Sequence, residues 1–553
     1  MASNITQEKS LTSKEIALYV GIPVASLCIA GGIYYYYTKK SVKLEQFPDN
    51  QNASEYILVP NENESSTEIA ASEKSKGNKY FKAGRYEQAI ECYTKALKHC
   101  PEDNLIDIST FYQNRAAAHE QLKHWSDVVA DCSQAIQLNP KYTKALGRRA
   151  RAYEALDEKR NCLEDVTAVC LLEGFQNQQC MLLADRILKS IGKELAAKHF
   201  ESRPRVLPSS FFVKSYLDSF NSDIFYVEIP EDMQEFTSYH KIIEAMKQKE
   251  YTKIVEKCTE EIEKDGKYKN RAYLLRGTMY TLMCNIPNAL ADLNKVIELE
   301  ENETNNELKI NALIKRGSLK MQEAKDLECY ADFDLALKIS NKNANIFHHR
   351  GQLYFLTERL DEAKKEFETA ISLDPKFVAP RLQLGYCVCK LAMQAMSMSM
   401  MNEANKILEE TTKLFPQCAE AWSLYGQLLQ DQQRLDEALE KLEKAISIAP
   451  DNPTTYIYKG LLMLQWKQDV DEANRLIRKA IEIDDKCDFA YETLATLEVQ
   501  KGNNEEAVRL FERAITLVRS ESEMANTFSL LEAAKAQAKV TKEYGVTLPP
   551  MPM

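Results

Sequence analysis

The chain has 553 residues, 44% hydrophobic and 28% charged. It is too long for one core, which stops growing near roughly 250–300 residues, and too apolar for a disordered chain. A net charge of −11 excludes the basic stripe that nucleic acid requires and suits basic partners instead. Glycine and proline are scarce at 17 each, and from about Ser72 onward Ala, Leu, Glu and Lys dominate, a helical composition. The 14 cysteines form no CxxC; Cys387 and Cys389 make only CxC. They exclude a zinc or disulfide framework and read as buried thiols in a reducing compartment.

After a short segment, 1–15, Ile16 to Tyr37 runs 22 residues without a charge. At helical rise that reaches about 33 Å, enough for a hydrocarbon core of about 30 Å. Tyr34 to Tyr37 place amphipathic rings at one end, and Lys39, Lys40 and Lys43 follow. A cleaved signal peptide has a shorter apolar region and a small-residue cleavage site, so 16–37 is expected to be an uncleaved transmembrane anchor. The lysines on its C-terminal side leave the large domain in the cytosol. The sequons at Asn4, Asn52, Asn63 and Asn302 then carry no sugar. Residues 38–69 are expected to form an acidic flexible tether: 44–68 hold six acids and no Lys or Arg, with Pro48 and Pro60.

A period of about 34 residues follows. Gly77, Tyr80, Ala89, Tyr93, Ala96 and Pro101 take positions 8, 11, 20, 24, 27 and 32 of a repeat beginning at residue 70. Gly351, Tyr354, Ala363, Phe367, Ala370 and Pro375 reproduce the set, as do Gly426, Leu429, Ala438, Leu442, Ala445 and Pro450. Small residues at 8 and 20 let two helices approach, larger ones at 11 and 24 fill the space between hairpins, and proline ends the second helix. The spacing predicts an all-α tetratricopeptide-repeat superhelical solenoid with eleven repeats: 70–101, 109–140, 143–174, 236–266, 270–301, 310–341, 344–375, 378–416, 419–450, 453–486 and 488–519. The eighth carries an insertion, AMQAMSMSMMNEA, whose methionines suit either a pliable contact or internal packing. A helix near 179–200 and a proline-containing linker, 201–235, divide a three-repeat module (70–200) from an eight-repeat module (236–519). A helix near 521–544, within 520–553, is expected to cap the solenoid.

In such a hairpin, positions 2, 5, 6, 9 and 12 of the first helix face a concave groove. In the first module these include Lys74, Asn78, Asn114, Lys144 and Arg148. Lys74 and Asn78 are four apart, as are Lys144 and Arg148, so each pair shares a helix face. Together they make a basic, amide-lined pocket in an acidic protein. The stretches SEKSKGNKYFKAGRYEQAIECYTKAL, FYQNRAAAHEQL and KALGRRARAYEAL resemble the two-carboxylate clamp family. In that family Lys, Asn, Asn, Lys and Arg bind the Glu-Glu-Val-Asp tails of cytosolic seventy- and ninety-kilodalton heat-shock chaperones, and all five positions match. Charge-assisted bonds to carboxylates would supply the chemistry.

Further stretches, KYTKALGRRARAYEAL, CLEDVTAVCLLEGFQNQQCMLLAD, ANIFHHRGQLYFL, TTYIYKGLLMLQWKQD and KCDFAYETLATLEVQ, extend the likeness over nearly the whole chain from Ser72. With the anchor, tether and divided array, the chain resembles the animal seventy-kilodalton import receptors of the mitochondrial outer-membrane translocase. The resemblance implies a receptor in that membrane, N-terminus in the intermembrane space and body in the cytosol. It implies mitochondrial preproteins as partners, including metabolite carriers with internal signals, and other translocase subunits. By position, His348, Gln352, Leu382, Tyr386, Glu420, Gln427, Ile457, Leu461, Glu492 and Thr496 are candidates to line a preprotein groove in the eight-repeat module.

No Walker loop, GxGxxG, HExxH or GxSxG occurs. Adjacent His348 and His349 point about 100° apart on a helix, a poor metal pair. No catalytic residue, cofactor or metal is expected. Two other readings stay open at this stage: a co-chaperone on another cytosol-facing membrane such as the endoplasmic reticulum, which needs only the clamp, and a scaffold tethering regulatory enzymes.

Overall fold

The computed structural model describes residues 66–545, apart from 222–223, 235–236, 301 and 324. The expected anchor at 16–37, nearly all of the tether and the last eight residues lie outside the described residues. Among the described residues there is no strand, and no helix is long and apolar enough to cross a membrane.

Twenty-five α-helices follow one another, and the described residues divide into two compact units. One holds the chain up to Lys198, with Ala495–Glu512 and Ala525 onward. Its hairpins are α1 (Ser66–Lys82) with α2 (Tyr86–His99), α3 (Leu105–Gln121) with α4 (Trp125–Leu138), and α5 (Thr143–Ala155) with α6 (Lys159–Leu172); α7 (Gln178–Phe200) follows. The other unit, His199–Leu494 with Arg513–Met524, begins with α8 (Ser210–Asp218). Its hairpins are α9 (Ser238–Lys247) with α10 (Ile254–Glu263), α11 (Lys269–Leu282) with α12 (Ile286–Ile297), and α13 (Glu303–Gln322) with α14 (Asp326–Ile339). There follow α15 (Ala344–Leu356) with α16 (Leu360–Leu373), α17 (Val378–Gln394) with α18 (Met398–Leu414), α19 (Ala419–Asp431) with α20 (Leu435–Ile448), and α21 (Pro453–Lys467) with α22 (Val470–Ile483). The last pair, α23 (Asp488–Gln500) and α24 (Asn504–Leu517), contributes residues to both units, as does α25 (Glu521–Tyr544). All eleven expected repeats therefore coincide with a helix pair.

The repeat pattern states how each hairpin packs. In α2 the buried residues are Ala89, Cys92, Tyr93 and Ala96; in α22 they are Ala473, Leu476, Ile477 and Ala480. That i, i+3, i+4, i+7 stripe turns one face of each second helix onto its partner. The glycine at position 8 lies under the large side chain at position 24. A Cβ on Gly77 would stand 2.7 Å from the Tyr93 ring, and one on Gly351 would stand 2.7 Å from Phe367. Each of these rings is buried, worth roughly 1.5–3 kcal/mol of apolar transfer.

A second device is invisible in the apolar pattern. Arginine at position 7 forks onto an acid at position 23 of the same hairpin: Arg115 on Asp131, Arg149 on Asp165, Arg276 on Asp292, Arg316 on Asp332 and Arg350 on Glu366. In four of these a remaining N–H reaches the preceding hairpin's second helix, at Thr94, Ser133, Thr259 or Asn294, at 2.8–3.0 Å. One guanidinium thus ties three helices, coupling each repeat to its neighbour.

Local deviations have local causes. Asn104 and Asn302 cap α3 and α13, accepting from Asp107 N–H and Asn305 N–H, and start those helices ahead of the repeat boundary. The methionine-rich insertion lengthens α17 and α18 to 17 residues each. Met396 and Met398 are exposed at their turn, whereas Met400 and Met401 pack on the core. In the first unit, α25 lies against α7: Ser529 Oγ donates to Leu188 O at 3.0 Å, and a Cβ on Gly192 would stand 2.2 Å from Ala525 O. Lys539 pairs with Glu164 at 2.5 Å, and Ala536 and Val540 join the core of α5, α6 and α7.

Candidate functional site

In the first unit α1 carries Lys74 and Asn78, α3 carries Asn114, and α5 carries Lys144 and Arg148. Lys74 Nζ stands 3.6 Å from Asp107 Oδ1 and 5.5 Å from the centre of the Phe111 ring, so it joins α1 to α3. Tyr93 donates its hydroxyl to Asn78 Oδ1 at 2.7 Å, which leaves the Asn78 amide NH2 as the available donor. Asn114 is half-buried and Lys144 exposed; Lys144 has no ion-pair partner among the described residues.

Arg148 joins α5 to α3. Its Nε donates to Glu120 Oε2 at 2.7 Å and its Nη1 to Gln113 O at 3.3 Å. The other Glu120 oxygen accepts from Arg151 Nε at 2.7 Å. Burial raises the Glu120 carboxyl, but the bonds from Arg151 and Arg148 outweigh it and hold the group below the usual carboxylate range. One acid thus orients two guanidinium groups and neutralises one of them. Among the described residues these four cations, Lys74, Lys144, Arg148 and Arg151, form ion pairs with two acids, Asp107 and Glu120, leaving an excess of positive charge with donors to spare. Sequence reasoning missed Glu120 and Arg151. Arg151 occupies position 9 of its repeat, a groove position, so its number alone was a usable signal. Glu120 gave none, because its role depends on the approach of α5.

The ten candidates of the later repeats, nine in the second unit and Thr496 in the first, are placed unequally. Gln352 and Gln427 are buried, and Gln427 Nε2 donates to Ser423 O at 3.3 Å. Leu382, Tyr386, Glu420, Leu461, Glu492 and Thr496 are half-buried; the Tyr386 ring lies 5.5 Å from Phe355. Glu420 Oε2 accepts from Cys418 Sγ at 3.4 Å. His348 and Ile457 have no exposed surface. His348 lies beside Phe377 and Phe367, ring centres 5.0 and 6.1 Å away. A helical-wheel position fixes direction, not how closely the next repeat closes over it. The face also holds residues the sequence did not single out. Lys315 on α13 is fully buried and, among the described residues, has no carboxylate partner; it is held by Asn311 Oδ1 and lies 3.7 Å over the Phe220 ring. His349 Nδ1 meets Gln352 Oε1 at 2.9 Å.

Comparison with known proteins follows this geometry. The tetratricopeptide-repeat family matches residues 70–103 and 344–377, and the cytochrome c-type biogenesis protein H TPR domain matches 412–525. The chain is 49% identical to human mitochondrial import receptor subunit TOM70, over 88% of this chain and 82% of that protein. It is 26% identical to the protein of the same name from Saccharomyces cerevisiae, over 90% and 84%. The crystal structure of yeast Tom70 shares the fold, with a TM-score of 0.51 and 23% identity, covering 86% of this chain and 98% of that one. A likeness at this identity, continuous through both sets of hairpins, shows that the chain belongs to the TOM70 family of mitochondrial import receptor subunits.

Proposed function

We propose that this import receptor divides recognition between its two sets of repeats. The first docks the C-terminal tails of cytosolic seventy- and ninety-kilodalton heat-shock chaperones. The second receives the preprotein, including hydrophobic metabolite carriers with internal targeting signals, for transfer to other translocase subunits. Residues 16–37 anchor the chain in the mitochondrial outer membrane with the repeats in the cytosol. The division into 70–200, linker 201–235, 236–519 and a final 520–553 segment follows the same reading.

The observation that supports docking most is the set of cations on the first and third of three successive first helices, Lys74, Lys144 and Arg148, beside the donors of Asn78 and Asn114. A peptide ending in Glu-Glu-Val-Asp offers a main-chain carboxylate and an Asp carboxylate to that cluster. Arg148 is already held by Glu120, so it is presented in one orientation, and less ordering accompanies binding. Arg151 is added here to the five residues read from the sequence.

The test is titration of the full chain with the free-acid peptide and with its C-terminal amide. A hydrogen bond to a charged group contributes roughly 1.5–3 kcal/mol, so the amide binds about ten- to a hundredfold more weakly. Equal binding of the two peptides would contradict the docking reading.

A further inference from the structure

Between the two sets of hairpins runs a segment that belongs to no hairpin. Ser209 caps the short helix α8, its Oγ accepting from Phe212 N–H at 3.1 Å. The chain then continues through Phe220 and Asn221 to Ile229. This stretch does not lie on the outer surface of its unit. It touches groove positions 2, 5 and 6 of first helices along the array. The Phe220 ring lies 3.7 Å from Lys315 Nζ and 4.3 Å from the His349 ring. Asn221 N–H donates to Asn345 Oδ1 at 2.7 Å, and Arg271 donates to Ile224 O. At the other end Phe211 and Phe212 line a cavity with Pro453, Phe489 and Glu492. One segment therefore spans first helices α11, α13, α15, α21 and α23, which is where a bound peptide would lie.

The fit is incomplete in a way that points to another ligand. Beneath the segment and along the same face, His349 Nε2, Gln352 Nε2, Gln383 Oε1 and Gln427 Oε1 are buried without a hydrogen-bond partner. Their residues are between 1 and 5% exposed. Among the described residues, buried Lys315 meets an amide oxygen and a ring face but no acid. Native interiors pair such groups almost without exception, and a half-satisfied buried network costs free energy that a better-matched occupant would recover. Of the segment's described residues it is the aromatic Phe220 that meets Lys315 and the His349 ring, and none gives the four unpartnered atoms a hydrogen bond.

We propose that residues 207–221 and 224–229 are a built-in occupant of the eight-repeat groove, displaced when a preprotein segment enters. The inference rests on the reading that this groove receives preproteins. The incoming segment copies the occupant's chemistry, a short helix with aromatic and aliphatic side chains on one face. It adds what the occupant's described residues do not bring to these positions: carboxylate, hydroxyl or amide groups that meet Lys315 and the unpartnered glutamines. Self-occupancy keeps the apolar groove covered until a client arrives, at the expense of apparent affinity, because only the open fraction of molecules binds.

The test uses the purified full chain and a peptide spanning one hydrophobic segment of a mitochondrial metabolite carrier. Hydrogen exchange of the unmodified chain is followed with and without the peptide. Residues 210–221 should exchange faster on addition, while α15 and α17 become more protected. Phe220→Ala weakens the occupant alone and should bind the peptide at least about tenfold more tightly; the exchange arm requires no variant to fold. Peptide binding with unchanged exchange in 210–221, and no gain from Phe220→Ala, overturns the inference and leaves the groove reading standing. No binding to either chain overturns both.

Discussion

The two sets of hairpins are built from one repeat and present opposite surfaces at the same positions. In the first, positions on α1 and α5 carry cations that reach water, and an acid of α3 between them, Glu120, serves to aim Arg148 and Arg151. In the second, equivalent positions on α13 and α15 carry Lys315 and His349, buried beneath the aromatic residues of α8 and its continuation. Packing residues at positions 8, 20, 24 and 27 define the hairpin and leave the groove positions free to differ. Under the proposed function, the solenoid separates stability from recognition by position within the repeat.

If that separation holds, damage to the shared packing should harm both sets alike. The largest effect is expected from the position-7 arginine. Removing one partner of a buried ion pair costs about 3–5 kcal/mol, and Arg115→Ala and Arg276→Ala each strand an acid that is less than a tenth exposed. Thermal unfolding followed by circular dichroism should show a comparable loss for each. A large loss for one and none for the other would break the symmetry of the comparison.

Acid should separate the two sets. Burial lowers the His349 pKa to about 3, with the hydrogen bond that the ring donates to Gln352 Oε1 opposing the shift and the Lys315 charge adding to it. Burial also lowers Lys315 and His348 strongly. A histidine with a depressed folded pKa binds protons more readily when unfolded. Its contribution is complete above the unfolded value of about 6.5 and falls as pH drops from there towards 3, by up to about 1.4 kcal/mol per unit. His349→Gln should flatten the pH dependence of unfolding in that window. An unchanged slope would mean that the histidine is hydrated.

Binding effects are expected to be smaller. Arg148→Ala should weaken the Glu-Glu-Val-Asp peptide by about ten- to a hundredfold, or roughly 1.5–3 kcal/mol. Arg434→Ala, which removes a surface pair with Glu437, should leave peptide binding unchanged. Smallest is the turn at position 15. Lys123, Asp157, Glu358 and Gln433 sit there with φ near +60°, where Gly84 and Gly502 stand in other repeats. Glu358→Gly should raise stability by about 1 kcal/mol, read as a small rise in melting temperature.

Much of this fold was legible because hairpin packing writes itself at fixed spacing: Gly77 under Tyr93 and Gly351 under Phe367 are visible as positions 8 and 24. The Arg276–Asp292 pair repeats just as regularly, yet charge at a helix position reads as solvated until both helices are in place. The basic cluster was legible from Lys74, Asn78, Lys144 and Arg148 because helical spacing fixes which residues share a face. Glu120 was not, since it acts across helices. The groove was read least well. His348 and Ile457 have the right number and are sealed by neighbouring helices, and the occupancy by Phe220 arises from a linker whose sequence has no period to follow.

The central claim is tested most directly by crossing two variants with two ligands in isothermal titrations of the full chain: Arg148→Ala and Phe220→Ala, each with the Glu-Glu-Val-Asp peptide and the carrier peptide. The account predicts a crossed result. Arg148→Ala loses the first peptide by at least about tenfold and binds the second as the parent chain does, whereas Phe220→Ala keeps the first and gains on the second. Parallel changes for both ligands in either variant would contradict the division of recognition between the two sets of repeats.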